Sequence, residues 1–276
     1  MAFVDESAAE LLLSNINYYR LRAYWHSFEQ PHPTLSHHFP TPITFESVLS
    51  LYRFDRKFRL LVLDAVERLE IAVKTKWAFE LSQYDGPFAH EDRRNFKNKQ
   101  LHRSGLRHLK QAYRDSQEEF ALHHLQAYPT LKTPPTWVSC ELMSFGQVSK
   151  WLSNTKPAKV RKKVSRHFGF EPAFFETYLH LSTVIRNICA HHSRLWNRQI
   201  PSAVPIPTRT RFDASLLTTH PQGRHKIYNF LAVMSYVLAR ISPGESWATR
   251  LTRFLKKDVT RLNHMGFPVG WERAFV

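Results

Sequence analysis

Residues 43–85 contain neither proline nor glycine. A run of that length, with nothing to interrupt a helix, limits the fold more than any other feature of the chain. Within it Leu51, Phe54, Phe58, Leu61, Ala65, Leu69 and Ala72 recur at three- and four-residue steps, the apolar stripe of one long helix. Thr44 is its expected N-cap. Glu70 stands four residues before Lys74, the favourable order for a surface ion pair. Glu67 and Glu70 are therefore read as helix surface rather than as a catalytic acid pair.

Breakers lie elsewhere. There are 8 glycines in 276 residues, and prolines group at 31–42, 129–135 and 201–207, each read as loop. Between these groups the periodicity is helical, with no convincing period-two strand and no internal repeat, so the expected class is all-α. One or two helices are expected within 7–28, and further ones at 91–114, 136–152, 171–198, 226–241 and 245–261. Pro172 suits a first helical turn. Residues 136–152 read as one buried helix in which Gly146 admits another backbone. Residues 265–271 read as a docked, irregular tail.

Charge narrows the partners. Lys plus Arg is 39 and Asp plus Glu is 23, a formal net charge of +16 with 16 His uncounted. That balance favours polyanions, nucleic acid ahead of a membrane surface. Residues 91–114 hold eight Lys and Arg against two acids, and 156–166 hold six with no acid. Both read as candidate phosphate-contacting faces, with Lys159, Arg161, Lys162 and Lys163 the chosen RNA contacts in the second. The segment 17–28 mixes aromatics with arginines. It suits base stacking, or, the reading preferred here, a core-facing stripe with arginines reaching outward. Cys140 and Cys189 are the only cysteines and form no C-x-x-C, which fits a reducing compartment. The N-terminus lacks the basic region of a secretory signal, and the longest apolar run, 227–239, is too short to span a bilayer. A cytoplasmic location is expected.

Chemistry concentrates at 186–198, RNICAHHSRLWNR, inside a stretch with no acid between Glu176 and Asp213. If the helix runs through it, Asn187, His191, Arg194 and Arg198 share a polar stripe and His192 turns towards the apolar side with Leu181, Val184, Ile188 and Leu195. Arg186 and His191 then stand roughly 140° apart at about 100° per residue. They converge only if the helix end distorts or a second copy supplies the partner. These groups suit cleavage of RNA, which carries its own nucleophile, the 2′-OH. Imidazole, with an ordinary pKa of about 6.5, acts as base or acid. Guanidinium stabilises charge on the phosphoryl oxygens, and Asn187 orients an oxygen or the imidazole. The alternative is a salt-bridged arginine and a satisfied histidine. No metal or other cofactor is called for. The His pairs 37–38, 123–124 and 191–192 are adjacent and point apart, and H-E-x-x-H, zinc spacing and P-loop patterns are missing from the sequence.

The segment 185–198 resembles the signature of the Abi-like family, the AbiD/AbiF group of abortive-infection proteins in the HEPN superfamily. INYYRLRAYWHSF (16–28), LYRFDRKFR (51–59), ERLEIAVKT (67–75), TWVSCELMSFGQVS (136–149) and GFPVGW (266–271) match that family in order. The resemblance implies an all-α HEPN-type bundle over 1–276, with an N-terminal arm at 1–43, a core at 44–200 and C-terminal helices at 201–276. It implies a homodimer joined through the motif helix. It also implies a metal-independent endoribonuclease with Arg186 and His191 as the R-x4-H residues and Asn187 beside them, leaving a 2′,3′-cyclic phosphate and a 5′-OH. Phage defence by growth arrest, and restraint by a small structured RNA, come with it. Relatives often carry a longer N-terminus, so no function of such a segment is carried over. Ser193 stands where toxins modified by a nucleotidyltransferase carry Tyr, so that form of regulation is disfavoured.

The expectation is an RNA-cleaving toxin of an antiphage or toxin–antitoxin system, with Arg186, Asn187 and His191 catalytic and Arg194 and Arg198 holding RNA. A non-catalytic RNA-binding scaffold is the second reading, and a DNA-binding regulator ranks last.

Overall fold

The structure, a computed structural model, describes residues 2–30, 38–39, 42–244 and 246–275. The expectations for the loop at 31–42 and for His37 fall mostly outside these residues, as does Glu245. The described residues are all-α, with two isolated bridges, Ala2 to Thr44 and Phe96 to Thr155, and no strand.

The breaker-free run is one helix. Taking helices in chain order, α1 is Glu6–Asn15, α2 Tyr18–Trp25 and α3 Phe45–Asp85. At 41 residues α3 is about 60 Å long. Thr44 caps it as expected, accepting from the Ser47 amide at 3.2 Å, and Gly86 ends it at φ 84°. The predicted stripe is buried at Leu51, Phe54, Phe58, Ala65 and Leu69, while Leu61 and Ala72 are half-buried. Each large side chain so buried stabilises the fold by about 1.5–3 kcal/mol before entropy is counted. The Glu70–Lys74 pair forms at 3.3 Å.

Around α3 lie α4 (Lys99–Asp115), α5 (Glu119–Ala127), α6 (Thr136–Ser139), α7 (Phe145–Asn154), α8 (Ala158–His167), α9 (Pro172–Ala190), α10 (Tyr228–Ile241) and α11 (Trp247–Leu255). α3 packs directly on α2, α6, α7, α8, α9, α10 and α11. Their buried residues join one hydrophobic cluster running from Ala9 to Phe275. The tail docks as expected: Met265 is buried, Phe267 meets Tyr228 at 5.0 Å, and Gly266 turns the chain at φ 82°.

Three expectations need correcting. Residues 136–152 form two helices, because Ser144 and Gln147 build a reciprocal capping box that restarts the chain as α7. Gly146 faces open space; the glycine that admits a neighbour is Gly105, where a Cβ would lie 3.0 Å from the Trp151 ring. The helix expected at 245–261 is α11, with a separate 3-10 turn at Val259–Arg261.

Candidate active site

α9 does not run to residue 198. It ends at Ala190, and His191 is its C-cap. The His192 amide donates to the Cys189 carbonyl at 3.1 Å and the Ser193 amide to Ile188 at 2.9 Å. This paired reversal is the Schellman motif, with His192 at the left-handed position, φ 58°. The polar stripe therefore stops at His191. His192 does not turn into the apolar face; the turn carries it out to solvent beside His191. Leu195 is buried as predicted, but from the loop and not from a helix.

A buried carboxylate sets the path after the turn. Asp55, on α3 and fully buried, accepts from the Trp196 amide at 2.7 Å, the Leu195 amide at 3.2 Å, the Tyr24 hydroxyl at 2.7 Å and the Arg59 guanidinium at 2.5 Å. Burial, the largest influence, opposes the charge on Arg59, but Asp55, Tyr24 and the nearby Cys189 together outweigh it and hold the guanidinium above its ordinary value. Burial, then the Asp55 charge, pushes the Tyr24 hydroxyl well up. Burial also pushes the Cys189 thiol to about 12, which removes it as a nucleophile.

Two arginines tie α2 to the same turn. Arg20 donates to the His192 carbonyl at 2.8 Å, and Arg194 donates to the Ala23 carbonyl. Burial lowers the Arg194 pKa, foremost among its causes. Arg194, half-buried, thus spends part of its guanidinium on a structural tie to α2, which its expected role as an RNA contact did not include. Arg198 leans back on the Arg194 carbonyl at 3.3 Å. The preferred reading of the aromatic segment holds for Tyr24 and Trp25, which are buried. Tyr18 and Tyr19 are 50% and 73% exposed, beside the tethered Arg20.

In front of this buried support stand Arg186, Asn187 and His191. Asn187 and His191 are exposed and Arg186 is half-buried. Arg186 reaches only the Asn187 side-chain oxygen, at 3.5 Å, and neither Arg186 nor His191 has an acidic partner among the described residues. The helix stays regular to Ala190, and the His191 amide still bonds the Asn187 carbonyl at 2.9 Å. Within one chain the angle of roughly 140° between Arg186 and His191 is kept. On α8, Lys159 and Lys162 are exposed, whereas Arg161 pairs with Glu176 at 3.0 Å and Lys163 with Glu80 at 3.0 Å. Among the described residues no three His, Cys, Asp or Glu side chains group to hold a metal, and no helix is long and apolar enough to cross a membrane.

The residues that sequence reasoning missed are Asp55, Arg59, Tyr24 and Arg20. The signal was there: Asp55 falls between Phe54 and Phe58 on an apolar stripe, with Arg59 four residues on. A carboxylate on a core face needs a buried partner.

Fold and site together define an all-helical protein that presents Arg186, Asn187 and His191, with no acidic partner for Arg186 or His191 among the described residues, at a helix end braced by Asp55, Arg20 and Arg194. The chain belongs to the Abi-like protein family, whose sequence model matches residues 11–197. That match takes in α2, α3 and the whole Asp55 clamp as well as Arg186, Asn187 and His191, and it points to a role in abortive infection. No curated protein and no solved structure matches the chain.

Proposed function

We propose that this protein is a metal-independent endoribonuclease of the HEPN type, acting in abortive infection as a toxin of the AbiD/AbiF kind and restrained by a small structured RNA. One observation carries the reading. Among the described residues Arg186 and His191 have no acidic partner, and they stand beside a turn braced by Asp55, Arg20 and Arg194. A salt-bridged arginine and a satisfied histidine would look different.

In the mechanism His191 takes the 2′-hydroxyl proton or returns one to the departing 5′-oxygen. The 2′-oxygen attacks phosphorus, the bond to the 5′-oxygen breaks, and a 2′,3′-cyclic phosphate and a 5′-hydroxyl result. Arg186 neutralises charge building on the phosphoryl oxygens, and Asn187 orients an oxygen. Because the two motif residues point apart on one helix, Arg186 and His191 act from neighbouring copies in a symmetric dimer. Tyr18 and Tyr19 add a stacking face for bases, and Lys159 and Lys162 add phosphate contacts.

The test is purified protein on single-stranded RNA with EDTA present. Wild type should cleave, and His191→Ala should lower the rate by at least about 100-fold, the usual worth of a positioned acid or base. Equal cleavage by the two proteins, or cleavage that needs added metal, would sink the reading. Salt-sensitive RNA binding without cleavage would favour a non-catalytic scaffold.

A further inference from the structure

A second cationic site lies at the other end of α9. A cleft of about 640 Å³ is lined by Arg166, Arg209, Arg211 and Arg240, with Tyr236 and Phe170 beside them. Among the described residues Glu171 is the one carboxylate in its wall, and Arg166 already engages it at 3.3 Å. Arg209, Arg211 and Arg240 have no acidic partner among the described residues. The Arg240 guanidinium lies over the Tyr236 ring, 5.7 Å from its centroid, so the ring helps to position it.

The loop that brings Arg209 and Arg211 is pinned. The Thr210 hydroxyl donates to the Gly169 carbonyl at 2.8 Å, and the buried Phe212 ring meets Tyr236 at 5.4 Å. Arg209 itself is held at φ 53°, a conformation costly for a residue with a side chain. Like charges gathered without counter-ions raise the energy of the empty cleft and are relieved by an anion. Guanidinium groups match phosphate in shape as well as charge.

The cleft also continues a track. Lys159, Lys162 and Arg166 recur at steps of three and four on α8 and are exposed, so they share one face that leads to the cleft. From Glu171 to Arg186 the helix rises about 22 Å, so cleft and motif are well separated. Residues 209, 211 and 240 also lie beyond the stretch matched by the family.

We infer that this cleft is an RNA-anchoring site that grips backbone phosphates at a distance from the scissile bond. It rests on the reading that the protein acts on RNA. A bound strand runs along the α8 lysines into the arginine cleft, which adds affinity and takes no part in bond breaking.

The experiment measures binding of a fluorescent 20-nucleotide single-stranded RNA in EDTA, with His191→Ala throughout to keep the strand intact. Arg209→Glu with Arg211→Glu should weaken binding about tenfold more than the same charge change at Arg253 and Lys257, and should lower the salt slope by about 1.4. A neutral pair, Arg209→Asn with Arg211→Gln, keeps a residue tolerant of the left-handed backbone and should show the same direction with an unchanged melting temperature. Equal losses at the two places, or no loss in either cleft pair, overturns the site. ATP is the second probe: binding of ATP that the cleft variants abolish, with RNA binding untouched, overturns the RNA assignment in favour of a free nucleotide. The nuclease reading fails separately, through cleavage by His191→Ala, whatever these affinities are.

Discussion

His192 shows most directly what a single residue contributes here. It takes the left-handed position of a Schellman ending, which glycine fills most readily, and its carbonyl is held by Arg20. The strain sits next to the one histidine that the motif names. Replacing His192 with glycine should relieve it and stabilise the fold by about 1 kcal/mol, read as a higher urea midpoint. A lower midpoint would mean that the His192 side chain makes a contact worth more than the strain. Arg194 and Arg198 continue the helical spacing of Asn187 and His191, but two hydrogen bonds at Cys189 and Ile188 end the helix first. A histidine at the reversal carries none of the signal that a glycine would have given.

At the scale of elements, α3 is the axis and Asp55 is the point where it takes hold of the motif. Its carboxylate satisfies two loop amides that α9 leaves behind, and it also binds α2 through Tyr24. Asp55→Ala should therefore cost about 3–5 kcal/mol, because Arg59, only 4% exposed, loses its counter-charge inside the core. Urea unfolding monitored by circular dichroism measures it, and a loss under about 1 kcal/mol would contradict the clamp. α3 itself was legible from Thr44 to Gly86, since no breaker interrupts it and its stripe repeats for many turns. The break between α6 and α7 was also legible in S-x-x-Q at 144–147, a capping box that the apolar run of 136–152 conceals. The tie from Arg194 to α2 was not legible, because it depends on a carbonyl of Ala23 that is remote in sequence and near only after α2 packs on α3.

For the whole molecule, the decisive question is how many copies build one site. Arg186 and His191 diverge on a regular helix, so in the proposed dimer each phosphate is met by an arginine of one protomer and a histidine of the other. Mixing Arg186→Ala with His191→Ala chains should then restore about a quarter of wild-type cleavage, since half the dimers are mixed and each of those has one intact site. No recovery after co-refolding would argue for a site completed within one chain. The sequence by itself determined the helical class, the long central helix, the basic balance and the identity of the motif residues. These follow from spacing, breakers and residue type, which act locally or add up along the chain. Tertiary structure alone decided where α9 stops, which arginines are spent on internal carbonyls and which face solvent, and that loop 201–213 brings Arg209 and Arg211 to Arg240. Those outcomes depend on contacts between segments far apart in sequence, and no local pattern encodes them.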